Sequence, residues 1–396
     1  MNSNLVFRIR IILGCVVFVA LVIVTKLFFV QIISGSEYSA TADRQYIKPQ
    51  TSNFDRGSIF FSSKDGIKIA AATVKDGYNL SINPKNIRDE NQVYTALSQY
   101  MDIDKNVFLD KTSKKNTSYQ EIQKRLEIPL GQSLKALKIP GVDVQKESWR
   151  IYPGNFLAGD TIGIIGYDKE NNLAGRYGLE SYYNDILSRK SVDSSLNFFA
   201  ELFSGIKKTV FLDNAKEGDV ITTIEPTVES YLENTLADTK KKWNSDSIGG
   251  IIMDPQTGEI YAMAELPNFN PADLTNISDP KIFSNSLVEN VYEMGSIIKP
   301  LTIASGIDSG VITAKSTYDD AGSLLLSGKK ISNYDGKARG VIPMQEILSQ
   351  SLNVGAAYVS LKIGAQDFLK YFQSFGIGDK TGIDQPNEQK GIIKNL

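Results

Sequence analysis

The 396-residue sequence contains no histidine, and this absence excludes two kinds of chemistry. Without imidazole there can be no serine or cysteine nucleophile activated by histidine, and no metal site built on histidine ligands. The single cysteine, Cys15, excludes internal disulfides and clusters of metal-binding thiolates. Any hydrolytic or acyl-transfer reaction must therefore use lysine, carboxylate or hydroxyl groups, and we expect neither a metal nor a cofactor.

A strong charge of either sign is also lacking, since the formal net charge is −2. A protein that binds nucleic acid would have a basic stripe, so we expect no nucleic-acid partner. Hydrophobic residues make up 42% of the chain and charged residues 22%, which is typical of a folded globular protein. The length allows two or three domains.

The sequence has one long apolar run, Ile11–Ile33, which contains a single charged residue. As a helix it would span roughly 35 Å, enough to cross the hydrocarbon core of a bilayer. Arg8 and Arg10 precede it, so the positive-inside rule places residues 1–10 in the cytoplasm and the chain beyond Ser34 outside. A cleaved signal peptide is the alternative, but its apolar core would be shorter and followed directly by a small-residue cleavage site. We therefore predict a single-pass anchor in the cytoplasmic membrane, with the N-terminus inside.

Residues 45–217 form a first extracytoplasmic region of mixed α/β character. Strand-like runs precede a helix whose apolar residues recur at helical spacing over Val93–Met101. Lys105–Lys115 is polar, and we interpret it as a loop or a solvated face. Gly175–Glu180 contains two glycines without a P-loop lysine, which favours a tight turn before a helix over Ser181–Leu187 rather than a phosphate cradle.

Residues 220–396 form a second region. Val220–Ile224 predicts a strand, and the apolar spacing of Thr227–Trp243 predicts a helix. Gly250–Met253 and Glu259–Met263 flank good turn residues and predict a β-hairpin. A strand, a helix and an antiparallel hairpin in this order indicate an α+β fold.

The strongest chemical signal is Ser296 followed by Lys299, because residues three apart share a helical face. Pro300 lacks a backbone N–H, so we predict a helix that begins at about Ser296 and places the hydroxyl at its positive end. A lysine partly desolvated against Ile297 and Ile298 has a lowered pKa. When neutral, it can accept the serine proton.

This spacing alone is not specific. The same serine–lysine spacing occurs in three other pairs that we interpret as solvated surface: Ser204–Lys207, Ser278–Lys281 and Ser327–Lys330. Ser296 differs because a glycine precedes it, an apolar helix follows it, and Ser351-Leu352-Asn353 lies downstream. Ser351 and Asn353 alternate with Leu352, so both polar groups can face one cleft. The alternative is that they cap a helix over Val354–Ile363.

Together these residues resemble the class B penicillin-binding proteins, the monofunctional peptidoglycan transpeptidases. A serine–lysine tetrad followed by serine-x-asparagine is that family's mechanistic signature. The resemblance covers nearly the whole chain, with segments in the family's order at Asp55–Ile59, Gly175–Glu180, Thr222–Ile224 and Met253–Ile260. Met294 and Ile297 stand where proline and threonine are common in the family, and neither change removes a catalytic group.

The resemblance implies an α+β chain in three parts beyond the short cytoplasmic tail. These are an N-terminal transmembrane helix (11–33), a mixed α/β pedestal or dimerisation domain (45–217), and a transpeptidase domain (220–396). The transpeptidase domain, of the type shared with β-lactamases, is expected to comprise its helical part and first strands.

The resemblance also implies the chemistry. Ser296 would attack the penultimate D-Ala carbonyl of a stem peptide, and the acyl-enzyme would pass to an amine of a neighbouring peptide. Lys299 would be the base in acylation, Ser351 would relay a proton to the leaving amine, and Asn353 would hold the substrate amide and the lysine. The Ser296 N–H would supply half of the oxyanion hole. The implied partners are D-Ala-D-Ala stem peptides, β-lactams, the membrane, and a glycosyltransferase with other wall-synthesis proteins.

Two other functions stay open at this point. One is a D,D-carboxypeptidase or β-lactamase-like hydrolase that uses the same serine and lysine. The other is a catalytically silent, membrane-anchored scaffold of a wall-synthesis complex.

The family's third motif, Lys-Thr-Gly on an inner strand, has an apparent counterpart in Lys380–Gly382. Three glycines and a proline in Phe375–Pro386 predict a loop there instead. We therefore expect the chain as written to be a C-terminally incomplete fragment that lacks the inner strands and is itself inactive.

Overall fold

The computed structural model describes residues 55–169, 172–189, 217–275, 277–326 and 328–394. These residues form both helices and strands, so the predicted α+β class is confirmed. The predicted membrane anchor at 11–33 lies outside the described residues. Among the helices that are described, none is long and apolar enough to cross a bilayer.

The strands are β1 (Ile59–Ser62), β2 (Lys68–Ile82), β3 (Gln120–Leu126), β4 (Val142–Ile151), β5 (Ile165–Tyr167), β6 (Leu173–Gly175), β7 (Val220–Ile221), β8 (Ile248–Met253), β9 (Ile260–Leu266), β10 (Thr317–Asp320), β11 (Ser323–Leu326), β12 (Lys329–Ser332) and β13 (Gly340–Pro343). The α-helices are α1 (Glu90–Ser98), α2 (Lys105–Ser113), α3 (Ile128–Ala136), α4 (Gly159–Ile162), α5 (Gly178–Tyr182), α6 (Asn184–Leu187), α7 (Pro226–Trp243), α8 (Ser286–Glu289), α9 (Lys299–Asp308), α10 (Gln345–Ser349), α11 (Asn353–Ile363) and α12 (Ala365–Ser374).

The chain divides into two compact units that interleave along the sequence. The first unit is mainly Ala72–Ile151, together with described residues before Ile59 and around 188–189 and 217–218. The second unit contains Ile59–Ala71, Tyr152–Leu187 and the chain from Asp219 onward. The domain boundaries expected from the sequence stay predictions.

The first unit is organised around β2, which is antiparallel to β4 from Thr73↔Ile151 to Ile82↔Val142. On its other edge β2 pairs with β3. Helices α1, α2 and α3 cover this sheet, and their buried residues join one core with Leu80 and Ile82 of β2.

Of the two alternatives predicted for the polar segment Lys105–Lys115, the loop is wrong, because Lys105–Ser113 forms α2, while the solvated face is present on the exposed side of this helix. Asp104 caps α2 by accepting hydrogen bonds from two backbone N–H groups of its first turn. Phe108 and Thr112, four residues apart, bury one face of the helix. A cap and two inward side chains thus suffice to fold a segment that is otherwise polar.

In the second unit, β1 pairs in parallel with β7, where Ile59 lies opposite Val220. The predicted helix is α7, which begins at Pro226, and the predicted hairpin is β8–β9. The helix predicted over Ser181–Leu187 is instead divided between α5 and α6. Two further hairpin-like pairs, β10 with β13 and β11 with β12, were not predicted.

Helices α9 and α11 form the base of the site described below. They come close together at Gly306, where a Cβ atom would lie 2.6 Å from Cγ1 of Val359. Gly355 allows an equally close approach between α11 and Ile347, where the corresponding distance would be 2.4 Å. Leu352 and Val359 are fully buried in the core between these helices. This packing brings the first residues of α9 and α11, Lys299 and Asn353, to the same edge of the unit.

Candidate active site

Ser296 lies in a 3-10 turn, Gly295–Ile298, that leads directly into α9. Gly295 has φ +63°, a conformation that suits glycine. This backbone conformation sets the direction in which the chain enters the 3-10 turn. Because residues three apart eclipse in a 3-10 turn, the side chains of Ser296 and Lys299 lie one above the other. Lys299 Nζ is 3.2 Å from Ser296 Oγ. The predicted helix start at about Ser296 is confirmed, with a tighter first turn than expected.

Lys299 is 7% exposed, although Ser296 beside it is open to solvent. Burial lowers the pKa of Lys299 below its ordinary value of 10.5, because desolvation disfavours the ammonium form. Nζ also donates to the backbone oxygen of Ser351 at 2.6 Å, to Ser351 Oγ at 3.0 Å and to Asn353 Oδ1 at 2.7 Å. The structure therefore brings all four predicted site residues into one hydrogen-bonded cluster around this amine.

Ser351 occupies the turn between α10 and α11 and has φ +53°, in the left-handed region that non-glycine residues rarely adopt. Its hydroxyl donates to Ser296 Oγ at 2.8 Å. Leu352 next to it is fully buried and anchors the turn in the core. Ser351 is thus placed between the serine hydroxyl and the lysine amine, where a hydroxyl can pass a proton between them.

Asn353 is the first residue of α11, and its amide is held at both ends. Nδ2 donates to the backbone oxygen of Ser332 at 2.9 Å, which leaves Oδ1 to accept from Lys299. The N-cap of α11 is Leu352, whose own side chain makes no capping hydrogen bond, and neither Ser351 nor Asn353 accepts from an N–H of the first turn in any hydrogen bond described. The alternative that Ser351 and Asn353 serve as helix caps is therefore wrong.

Two of the other serine–lysine pairs include residues outside the described chain. The third, Ser278 and Lys281, has both side chains exposed, as predicted for solvated surface.

Lys380–Gly382 lies outside helices and strands, which confirms the predicted loop. The Thr381 hydroxyl donates to Glu388 at 2.6 Å, and the Gly382 N–H donates to the same carboxylate at 3.1 Å. The Thr381 N–H also bonds to Glu388. These donors bind an acidic side chain of the chain itself.

Three oxygen or amide groups near the site were not predicted. They are the main-chain oxygens of Ser351 and Ser332 and the side chain of Asn333, which accepts from the N–H of Val354. A carbonyl oxygen has no sequence signal of its own. Asn333 stands in an Asn-Tyr-Asp-Gly run that indicates a turn and nothing more specific.

Two family descriptions match the chain. The dimerisation domain of penicillin-binding proteins matches residues 54–195, and the penicillin-binding protein transpeptidase domain matches residues 248–396.

The chain is also similar to curated proteins along nearly its whole length. Stage V sporulation protein D of Bacillus subtilis is 28% identical over 405 residues, which cover 99% of this chain and 60% of that protein. Peptidoglycan D,D-transpeptidase FtsI of Buchnera aphidicola is 26% identical, with 96% of this chain and 66% of the relative covered. Peptidoglycan D,D-transpeptidase MrdA of Acinetobacter baumannii is 25% identical, with 98% and 61% covered. The chain therefore spans less than two thirds of the length of these relatives.

Among solved structures, the fold is similar to the crystal structure of penicillin-binding protein 2X from Streptococcus thermophilus. The TM-score is 0.67 at 20% sequence identity, and the match covers 86% of this chain and 54% of the other.

Proposed function

The chain belongs to the class B penicillin-binding proteins, and we propose that it is a peptidoglycan D,D-transpeptidase that works through an acyl-enzyme on Ser296. The observation that supports this most is the set of acceptors around Lys299 Nζ. A buried amine that contacts the hydroxyls of both Ser296 and Ser351 is arranged to take and return a proton during acyl transfer.

In the proposed first step, Ser296 Oγ attacks the carbonyl carbon of the penultimate D-Ala of a stem peptide. Neutral Lys299 takes the hydroxyl proton, directly or through Ser351. The peptide C–N bond then breaks, and Ser351 passes a proton to the departing amine, so that D-Ala leaves as the free amino acid. The oxyanion of the intermediate would be stabilised in part by the backbone N–H of Ser296.

In the proposed second step, an amine of a neighbouring stem peptide attacks the ester carbon. The ester C–O bond breaks, a cross-link forms, and Ser296 regains its proton. Asn353 contributes by accepting a hydrogen bond from Lys299 and by offering its amide to the substrate backbone. β-Lactams would acylate the same serine, since ring opening replaces loss of the leaving group.

The test is covalent labelling with a fluorescent penicillin, followed by peptide mapping. We expect the adduct on Ser296 and none in Ser296→Ala. In the 396-residue chain we expect slow labelling, because Thr381 and Gly382 are bound to Glu388 and are not offered to a substrate carboxylate. An adduct on another residue would overturn the assignment, and no adduct after long incubation would favour the silent scaffold.

Product analysis with a stem-peptide donor and an amine acceptor separates the transpeptidase from a hydrolase. A cross-linked dimer is expected from the transpeptidase, whereas a D,D-carboxypeptidase would release only the shortened peptide. A β-lactamase-like hydrolase would instead turn over the fluorescent penicillin, and the label on Ser296 would disappear with time.

We further propose that the chain is anchored in the cytoplasmic membrane by residues 11–33 and works outside it with a glycosyltransferase and other wall-synthesis proteins. Protease added to intact spheroplasts should digest the extracytoplasmic region and spare about the first 30 residues, the length that a spanning helix protects. A mature protein that begins near Ala40 would contradict the anchor.

A further inference from the structure

Behind the candidate active site lies a buried polar pair, Asp320 at the end of β10 and Asn333 just after β12. Asp320 is fully buried and Asn333 is 3% exposed. Asn333 Nδ2 donates to both carboxylate oxygens of Asp320, each at 2.9 Å. The N–H of Gly322 donates to the same carboxylate at 3.2 Å, and Arg339 lies 3.7 Å from it. A buried carboxylate with these partners holds the asparagine amide in one orientation.

The amide of Asn333 is connected to the site through its other end. With Nδ2 bound to Asp320, Oδ1 faces the first turn of α11 and accepts from the N–H of Val354 at 3.2 Å. The preceding residue, Ser332, accepts from Asn353 Nδ2 through its backbone oxygen. Two consecutive residues of one strand end therefore fix the first two residues of α11.

The orientation of the Asn353 amide decides what Lys299 meets. As arranged, Lys299 Nζ donates to Asn353 Oδ1 at 2.7 Å. If the amide turned over, its NH₂ group would face an amine that also donates hydrogen bonds, and the contact would become repulsive. The Ser332 oxygen prevents this rotation only while the end of β12 keeps its position beside the first turn of α11.

We propose that Asn333, held by the buried carboxylate of Asp320, is a positioning residue that keeps the Asn353 amide oxygen directed at Lys299. Neither Asn333 nor Asp320 touches Ser296 or the lysine in any hydrogen bond described, so both act through α11. The contribution of Asp320 and Asn333 to catalysis rests on the proposed transpeptidase function. Their effect on the hydrogen bond between Asn353 and Lys299 does not depend on that function.

The charged group that faces the pair is Arg339, which two carboxylates share. Arg339 faces Asp320 and is also bound by Asp335 at 3.0 Å, while Tyr318 lies on the same strand as Asp320 with its hydroxyl buried. Burial, followed by the nearby carboxylate of Asp320, raises the pKa of Tyr318 to about 12, so that tyrosine stays neutral. Asn333→Ala therefore changes hydrogen bonding to α11 without placing a new charge near Lys299.

The experiment is competitive labelling of lysines with acetic anhydride across a pH series, with the Lys299 peptide quantified by mass spectrometry. In Asn333→Ala the ammonium of Lys299 loses a well-oriented acceptor. Its labelling curve should then move to lower pH by about one pH unit, the size expected for a lost hydrogen bond to a charged group. The curve of exposed Lys281 in the same sample should not move.

Gln385→Ala is the matched control, since Gln385 is also a buried carboxamide of the second unit, bound to the Thr161 oxygen. If its Lys299 curve moves as much as that of Asn333→Ala, the effect is general loosening and the proposal is wrong. If Asn333→Ala does not fold, Asp320→Asn has nearly the same volume and takes its place, with a smaller shift expected.

A double variant, Asp320→Asn with Asn333→Asp, exchanges donor and acceptor between the two positions and keeps an oxygen facing the Val354 N–H. It should restore the Lys299 curve towards that of the unsubstituted chain. An unmoved curve in folded Asn333→Ala, or a double variant that folds without restoring the curve, would overturn the proposal.

Labelling by fluorescent penicillin is measured separately on the same samples. It is expected to slow about ten- to a hundredfold in Asn333→Ala, the size of effect that a small displacement of a catalytic group produces. If the unsubstituted chain takes no penicillin, the proposed function fails. The lysine curves would still decide the role of Asn333.

Discussion

Lys299 Nζ lies closer to the main-chain oxygen of Ser351, at 2.6 Å, than to the hydroxyl of the same residue, at 3.0 Å. The left-handed backbone of Ser351 lets one residue present both oxygens to one amine. Lys299 is therefore held partly by a main-chain oxygen, which no side-chain substitution at position 351 removes. Substitutions at this position can separate the contribution of the Ser351 hydroxyl from that of its backbone.

Ser351→Ala and Ser351→Gly should slow penicillin labelling of Ser296 to a similar extent, because both remove the hydroxyl that bridges serine and lysine. Their stabilities should differ. Glycine accepts φ +53° without strain, so Ser351→Gly should be more stable to urea than Ser351→Ala by about 1 kcal/mol. Equal stabilities would mean that the left-handed turn is not maintained in solution.

Lys299→Ala should slow acylation of Ser296 by about 10²- to 10⁴-fold, the usual contribution of a general base. Lys281→Ala is the control, since Lys281 follows Ser278 at the same spacing and is exposed. It should leave the rate constant for labelling unchanged. A rate for Lys299→Ala close to that of the unsubstituted chain would remove the lysine from the mechanism.

Asp160→Asn should stabilise the protein at pH 8 by several kcal/mol and much less at pH 4, because keeping the buried carboxyl protonated costs about 1.4 kcal/mol for each pH unit above the pKa of the unfolded chain. Burial, followed by the nearby carboxylates of Glu265, Glu233 and Glu229, raises the pKa of Asp160 from 3.8 to about 9. Its Oδ1 has no hydrogen-bond partner among the described residues.

Between these two pKa values the folded protein keeps a proton that the unfolded chain has released, so the free energy of unfolding falls as pH rises through this window. Urea titrations at both pH values measure the effect, with exposed Asp238→Asn as the control. An equal gain at pH 4 and pH 8 would contradict the assignment.

Lys380→Ala should change the rate of Ser296 labelling less than twofold, a difference close to zero in free energy. The expectation follows from its place in a loop whose Thr381 and Gly382 donors are bound to Glu388. Tight labelling that depends on Lys380 would show that this loop reaches the serine and that the third motif was wrongly dismissed.

Much of the fold could be predicted where one short segment determines its own structure. Helix α7 has a proline in its first turn and a regular apolar face, and it was predicted to within a residue. The predicted hairpin β8–β9 has an Asp-Pro-Gln-Thr-Gly turn between its strands. By contrast, β10 pairs with β13, which follows only after β11, β12 and a turn, and these strands are four residues long. Pairing of this kind depends on the core beneath it and leaves little pattern in the sequence.

In the candidate site, motif spacing correctly grouped Ser296, Lys299, Ser351 and Asn353. The family inferred from these residues is confirmed, whereas their catalytic roles stay predictions. The spacing could not predict the backbone turn at Ser351 or the support from Asp320 and Asn333. These features depend on hydrogen bonds between separate strands and a helix start, and any of many asparagines could have supplied them.

The interleaving of the two units has a consequence for how the chain is made. Ile59 and Phe61 of β1 are among the first described residues to emerge from the ribosome, and both are buried in the finished second unit. Thr222, which bonds to Phe60 beside them, is synthesised 162 residues later. At usual rates of translation this is an interval of about 8–30 s, during which the first unit can complete its own β2–β4 pairing. Strand β2, which follows β1 directly, can pair with one edge of β1 at once, but the other edge stays open until β7 is made. An open apolar strand edge is a site at which chains aggregate, so the order of synthesis leaves this edge exposed for most of that interval.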